Sequence, residues 1–292
     1  MSDDDEGCYL VSIGSNALGE RLTEDDDSIT GVSRHKLPAG NCDWNLNTAN
    51  TSCVIFRPST NELGVFGWFG GSIRAYDETA FNSLDKEFWG DLIVACPLSN
   101  GEELILSTSK KGCWLVKDQD NKESSSNTRQ PKFQLNALTQ LLSSDHKVTD
   151  ISAGLEHVLL LTEEGKLFVW GSNEYGQCGL GEKVRDVSEI PQALKLPDNV
   201  RVVKISAGWY HSAVICENGG LFTFGLGRYG ALGTEASENE NIPKLIIPPR
   251  IHTMVAGPID VTCSAWHTLY LNSFHEVSGC VCMMHVEILF RR

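Results

Sequence analysis

The sequence predicts an all-β fold, a β-propeller built from repeats of about 50 residues, and two observations predict it. A long segment recurs. Residues 154–181, GLEHVLLLTEEGKLFVWGSNEYGQCGLG, lie over 208–235, GWYHSAVICENGGLFTFGLGRYGALGTE. Gly154 falls on Gly208, His157 on His211, Gly171 on Gly225 and Gly176 on Gly230, each pair 54 residues apart. The two chain ends also carry complementary halves of the same unit. VSIGSNALGERL (11–22) matches its second half, and DVTCSAWHTLYLN (260–272) matches its first, with His267 on His211 and Trp266 on Tyr210. A propeller closes its ring this way, with N-terminal strands completing the blade begun at the C-terminus so that no edge stays unpaired.

Each element follows from local pattern. TSCVIFRPSTNELGVFG (51–67) reads as a hairpin with a long turn, and LIVACPLSNGEELILST (92–108) as another, turned at Asn100-Gly101. KKGCWLV (110–116) adds a strand. Residues 117–132, KDQDNKESSSNTRQPK, are polar and read as a disordered loop, and FQLNALTQLL after them as a short helix. VTDISA and VVKISA lead the two full repeats; HVLLLT with KLFVW forms a hairpin inside the first. Trp170 and Phe224 end strands and are expected in the core. Five blades are recognisable, one of them split between the termini. The propeller is expected to span residues 1–272, leaving 273–292 as a divergent tail without the glycine turn or the W-G strand end.

Composition narrows the function. The 292 residues carry a net charge of −14 and no basic run longer than Lys110-Lys111 or Arg291-Arg292, which argues against a direct nucleic-acid partner. No apolar run of 18 residues and no signal-peptide core is present, so a soluble protein of the cytosol, the nucleus or both is expected, with its 10 cysteines reduced. Residues 225–230, GLGRYG, spell the dinucleotide fingerprint, but no helical period follows, and Asn173 replaces Gly227 in the other copy. No nucleotide or other cofactor is therefore expected. His275, Cys280, Cys282 and His285 form an H-x4-C-x-C-x2-H string, but a single residue between the cysteines is tight for zinc, so no metal is assigned. No hydrolase, zincin, redox or P-loop motif occurs, so no catalytic residue is assigned either. Gly70-Gly71 with Tyr76 and Trp89 spells a kelch-like pattern, which occurs once and ranks last.

The G-x-x-H step, the E-x-G or N-G turn, the W/F-G strand end and G-x-x-x-Y-G-x-x-G together resemble the regulator of chromosome condensation repeat family. The short length and split blade look most like its small members, the chromosome-condensation-regulator domain-containing protein 1 type and the α-tubulin-suppressor type. The resemblance implies a propeller, usually of seven blades, that acts as a monomeric, non-catalytic scaffold. By that likeness its partner is a chromatin-modifying or a translation or tRNA-modification enzyme. In the founding member the loops between the Gly and His of each repeat line one rim and contact the small GTPase Ran, with acidic side chains among the contacts. Guanine-nucleotide exchange on a Ran-like GTPase is therefore the alternative reading.

The recurring residues Gly154, His157, Gly171, Gly176, Gly208, His211, Gly225, Gly230 and His267 are read as architecture. The slots between Gly and His vary: Leu155-Glu156, Trp209-Tyr210 and Ala265-Trp266. Only Glu156 keeps a carboxylate there, so Glu156, Trp209, Tyr210 and Trp266 are the expected partner-binding rim, with aromatic rather than acidic character.

Overall fold

The computed structural model describes residues 9–14, 31–36, 45–48, 52–57, 62–69, 72–74, 92–98, 103–108, 110, 112–117, 139–234, 237–247, 257–281 and 284–288. Its strands are β1 (Tyr9–Gly14), β2 (Gly31–Lys36), β3 (Asn45–Thr48), β4 (Ser52–Arg57), β5 (Glu62–Phe69), β6 (Ser72–Arg74), β7 (Leu92–Pro97), β8 (Glu103–Thr108), β9 (Gly112–Lys117) and β10 (Thr139–Leu142). They continue with β11 (Val148–Ala153), β12 (His157–Thr162), β13 (Leu167–Ser172), β14 (Asp186–Leu194), β15 (Val202–Ala207), β16 (His211–Cys216), β17 (Leu221–Gly225) and β18 (Glu240–Ile247). The last four are β19 (Pro258–Cys263), β20 (Thr268–Asn272), β21 (Val277–Val281) and β22 (Met284–Ile288). Among the described residues there is no α-helix, and the strands form five antiparallel four-stranded sheets plus the β1–β2 pair.

The chain divides into two compact units, one of Met1–Leu106 with Trp114–Thr139 and one of Ser107–Cys113 with Gln140–Arg292. In the first unit, β3–β6 form one meander, and β4 pairs with β5 from Ser52↔Gly67 to Arg57↔Glu62, the hairpin expected at 51–67. In the sheet ordered β10-β9-β8-β7, the hairpin expected at 92–108 and the strand from KKGCWLV are both present. Thr139–Leu142, expected within a short helix, is instead strand β10. Most of the 117–132 loop lies outside the described residues.

The second unit holds three meanders, β11–β14, β15–β18 and β19–β22. Their registers repeat: His157 stands opposite Gly171, and His211 opposite Gly225. A bulge recurs at the start of each first pair, between Val148 and Asp150, Val202 and Lys204, and Pro258 and Asp260. The second strands HVLLLT and HSAVIC are buried at all six positions, and HSAVIC packs on both faces, through Val214 and Cys216 against the first meander and through Ala213 and Ile215 against the third. That is why they read as continuous apolar runs rather than as alternation. The outermost strands face water more, leaving Ile190, Ile242 and Leu245 exposed.

The main core fills the space between the first two meanders. Leu159, Val169, Cys178, Phe222 and Phe224 form its centre. Phe224 is fully enclosed, which contributes ~1.5–3 kcal/mol through burial of its ring. A smaller cluster, Ala213, Ile215, Leu221 and Val261, joins the second meander to the third. Trp170, expected in the core with Phe224, is only half-buried.

The expected closure by shared terminal strands is not what pairs here. Among the described residues β1 pairs with β2, while β20 continues to β21 and β21 to β22. The third and fourth strands of that last sheet thus come from 273–292, the segment set apart as a tail. The turn geometry explains it. His275 takes φ +64° where Gly165 and Gly219 take +76° and +84°, so the hairpin turn forms without glycine. His275 N–H donates to the Asn272 carbonyl at 2.9 Å, as Gly165 does to Thr162 and Gly219 to Cys216, each at 2.8 Å. A local hairpin orders fewer intervening residues than a pairing between distant chain ends, so it is the cheaper closure in entropy.

Candidate functional site

The loops between β11 and β12, β15 and β16, and β19 and β20 share one construction. The first residue of each loop donates its N–H to the carbonyl of the histidine three positions on: Gly154 to His157 at 2.8 Å, Gly208 to His211 at 2.8 Å, and Ser264 to His267 at 2.9 Å. The two residues between are thereby pushed out of the sheet. Consecutive loops also touch, since Leu155 N–H donates to the Trp209 carbonyl at 3.1 Å.

This brings the sequence-predicted aromatics together. The Trp209 and Trp266 rings meet edge-on with centroids 5.1 Å apart, and Tyr210 lies 6.2 Å from Trp266. Two further rings join them. Tyr229 stands edge-on to Trp266 at 5.2 Å, and Tyr175 edge-on to Tyr210 at 5.2 Å. T-shaped pairs at these distances are favourable by about 0.5–1.5 kcal/mol each beyond area burial. Trp209, Tyr210, Trp266 and Tyr175 are half-buried, while Glu156 and Tyr229 are exposed. The Tyr210 hydroxyl titrates above its ordinary value, first through desolvation and then through the nearby charges of Glu156 and Glu174.

Tyr175, Tyr229 and Glu174 were not among the expected contacts. The two tyrosines sit in the Y-G-x-x-G step of successive repeats, and that regular spacing marked them as turn residues. Only the fold carries this turn beside the Gly-to-His loop of the next repeat.

Two of the recurring histidines, His157 and His211, hydrogen-bond to the following repeat. His157 Nε2 lies 2.8 Å from Ser212 Oγ, and Ser212 donates its proton to the Gln177 carbonyl at 2.8 Å. One repeat later, His211 Nε2 lies 3.0 Å from Thr268 Oγ1, which donates to the Ala231 carbonyl at 2.9 Å. Each hydroxyl has a single proton, already given to a carbonyl, so the imidazole must donate from Nε2. Nδ1 of His157 then carries no proton, and it is buried without a hydrogen-bond partner. Burial holds His157 neutral, its pKa down to about 3, with the neighbouring His211 adding to the effect. Burial likewise lowers His211 to about 4. His267 differs: it is half-buried, and its ring meets Ser264 Oγ at 2.9 Å instead of a following repeat.

The GLGRYG segment is a turn. Gly225 ends β17 at φ +109°, and a Cβ there would meet the Tyr210 carbonyl at 2.5 Å. Arg228–Gly230 form a single 3-10 turn with no helix behind it. The Gly227 amide donates to Asn239 Oδ1 at 3.2 Å, and Leu226 to the Tyr210 carbonyl at 2.9 Å, so these N–H groups are already engaged. Among the described residues no group of three or more His, Cys, Asp or Glu is placed to hold a metal ion. The side chains of Cys280, Cys282 and His285 lie outside those described.

Two family models, both described as Regulator of chromosome condensation (RCC1) repeat, match the chain over 164–215 and 218–271, and over 148–177 and 202–231. Residues 148–271 thus carry RCC1 repeats. The RCC1 repeat matches span the first two meanders of the second unit and nearly all of the first two strands of its third. The chain is 35% identical over 130 residues to the X-linked retinitis pigmentosa GTPase regulator homolog of Caenorhabditis elegans, covering 44% of this chain and 9% of that protein. It is 38% identical over 103 residues to the ultraviolet-B receptor UVR8 of Arabidopsis thaliana, 35% of this chain and 23% of the receptor. It is 29% identical over 187 residues to the guanine nucleotide exchange factor SRM1 of Saccharomyces cerevisiae, 61% of this chain and 38% of that protein. The alignments thus span less than half of each of these relatives.

Solved structures share the fold. Human WBSCR16 superposes with a TM-score of 0.65 at 21% identity, over 92% of this chain and 68% of that one. Yeast RCC1 (Prp20), solved with Kap60, gives 0.64 at 17% identity, over 94% and 66%.

Proposed function

We propose that this RCC1-repeat propeller is a non-catalytic interaction subunit that presents one rim, centred on Trp209, Tyr210 and Trp266 with Glu156 beside them, to a partner protein. The observation that carries the reading is the convergence of five rings, from loops of successive repeats, into one partly exposed cluster. Rings held by one another bury a large area on binding at little further entropy cost, which is the property of interface hot spots. By likeness to the small family members, the partner is a chromatin-modifying or a translation or tRNA-modification enzyme in the cytosol or nucleus. A net charge of −14 favours a basic partner surface and salt-sensitive association.

Capture of partners from cell extract tests the reading, with Trp209→Ala/Trp266→Ala compared against wild type after circular dichroism confirms folding. Loss of a specific partner by the folded double variant supports the rim; unchanged capture removes it.

Exchange activity on a Ran-like GTPase is the second reading, favoured by the similarity to SRM1, whose name describes a guanine nucleotide exchange factor. It predicts that substoichiometric protein accelerates nucleotide release from the GTPase. The aromatic character of the loop slots supports the scaffold over it.

A further inference from the structure

The rim cluster is uneven in charge. At its Tyr229 end, Arg228 lies over the Tyr229 ring, 4.9 Å from its centroid, so this ring already has a cation on its face. At its other end, Tyr175 and Tyr210 meet at 5.2 Å and 71°, and the groups acting electrostatically on the Tyr210 hydroxyl are Glu156, Tyr175 and Glu174, two of them carboxylates. Both glutamates are exposed. Neither has a salt bridge among those of the described residues.

Tyrosine faces attract cations through the ring quadrupole, and carboxylates beside them add a direct charge and strong acceptors. An acidic segment would face repulsion here. A purely apolar one would cover two carboxylates and lose their hydration without replacement. A lysine or arginine head group is attracted by both the rings and the carboxylates, while its aliphatic stem can cover apolar surface.

We propose that the Tyr175–Tyr210 end of the rim, with Glu156 and Glu174, receives a lysine or arginine side chain from a basic segment of the partner protein. The proposal rests on the rim being the interaction surface, and it names the chemistry of the occupant. Trp209 and Trp266 then cover the residues flanking that cation, and Arg228 sets the opposite limit by repelling a second positive charge.

The test uses full-length protein carrying 3-fluorotyrosine, with the Tyr210 and Tyr175 signals assigned through Tyr210→Phe and Tyr175→Phe. Capped pentapeptides of glycine with a central arginine, lysine, citrulline or glutamate are titrated against it and followed by fluorine NMR. The arginine and lysine peptides are expected to move both signals. Glu156→Gln/Glu174→Gln, which keeps the side-chain shapes at two exposed positions, is expected to weaken them at least about fivefold. Citrulline acting as well as arginine, unchanged affinity in the double glutamine variant, or no movement with any peptide overturns the cation site. The partner-capture experiment separates the two readings. Loss of a partner in Trp209→Ala/Trp266→Ala without any preference for basic peptides leaves the rim and removes the cation. Retention of every partner removes both.

Discussion

His157 and Ser212 sit 55 residues apart in sequence and 2.8 Å apart in space, and the bond between them joins one repeat to the next. Ser212 passes the link on to the Gln177 carbonyl, so three segments meet at one hydroxyl. His211, Thr268 and Ala231 repeat the arrangement. The recurring histidine is therefore a cross-blade tie, and its partner is the hydroxyl residue that follows the histidine of the next repeat.

Ser212→Ala removes that hydroxyl and leaves both an imidazole N–H and a carbonyl buried without their partner. Loss of ~1–3 kcal/mol of unfolding free energy is expected, measured by urea denaturation. Unchanged stability would show that the tie contributes nothing net.

The same histidines set a pH dependence. Both are held neutral when folded, at about 3 for His157 and about 4 for His211, against an ordinary value near 6.5 in the unfolded chain. Below about 6.5 the unfolded state takes up protons that the folded state refuses, so this contribution is fully present above that pH. It is lost as pH falls toward the folded values. The slope attributable to the pair should approach two protons between about pH 6 and pH 4. Denaturant melts across that range check it, and His157→Gln should lower the slope by about one proton.

Two single substitutions at turns should act in opposite directions. At Gly208 a Cβ would meet the Ser264 carbonyl at 2.5 Å and His211 Nδ1 at 2.6 Å, so Gly208→Ala should cost about 1–3 kcal/mol. His275 holds φ +64° with a side chain, so His275→Gly should relieve strain of up to about 1 kcal/mol. Thermal melts of the two variants test both signs; a destabilised His275→Gly would mean that the imidazole makes a compensating contact.

Trp266 touches three of the other four rings and should be the energetic centre of the rim. Trp266→Ala should abolish partner capture at a stability cost of about 1–3 kcal/mol, because the ring is only half-buried. Trp266→Phe should keep most of the stability and part of the binding. Equal capture by wild type and Trp266→Ala would exclude the ring from the interface.

Much of this was legible in the residues. The 54-residue offset located β11–β13 and β15–β17, because the same apolar runs and the same glycines serve the same turns in both copies. The fourth strands β14 and β18 lie beyond the matched segments and were not read. The loop slots named Glu156, Trp209, Tyr210 and Trp266, since variable positions in a regular frame stand out. Tyr175, Tyr229 and Glu174 were hidden for the converse reason, being embedded in a repeating turn motif. The terminal pairing was misjudged because a missing glycine was read as a missing turn, whereas His275 adopts the same backbone angle.

The sequence by itself determined the repeat, most of the sheet-forming runs, the acidic balance and the resemblance to RCC1 repeats. These depend on local pattern and composition, which survive without knowing what lies next to what. Tertiary structure alone decided that five rings share one surface, that each histidine ties to the next repeat's hydroxyl, and which strands complete the last sheet. Those outcomes depend on contacts between residues tens of positions apart, and only the packing of one meander against the next brings such residues within hydrogen-bonding or ring-contact distance.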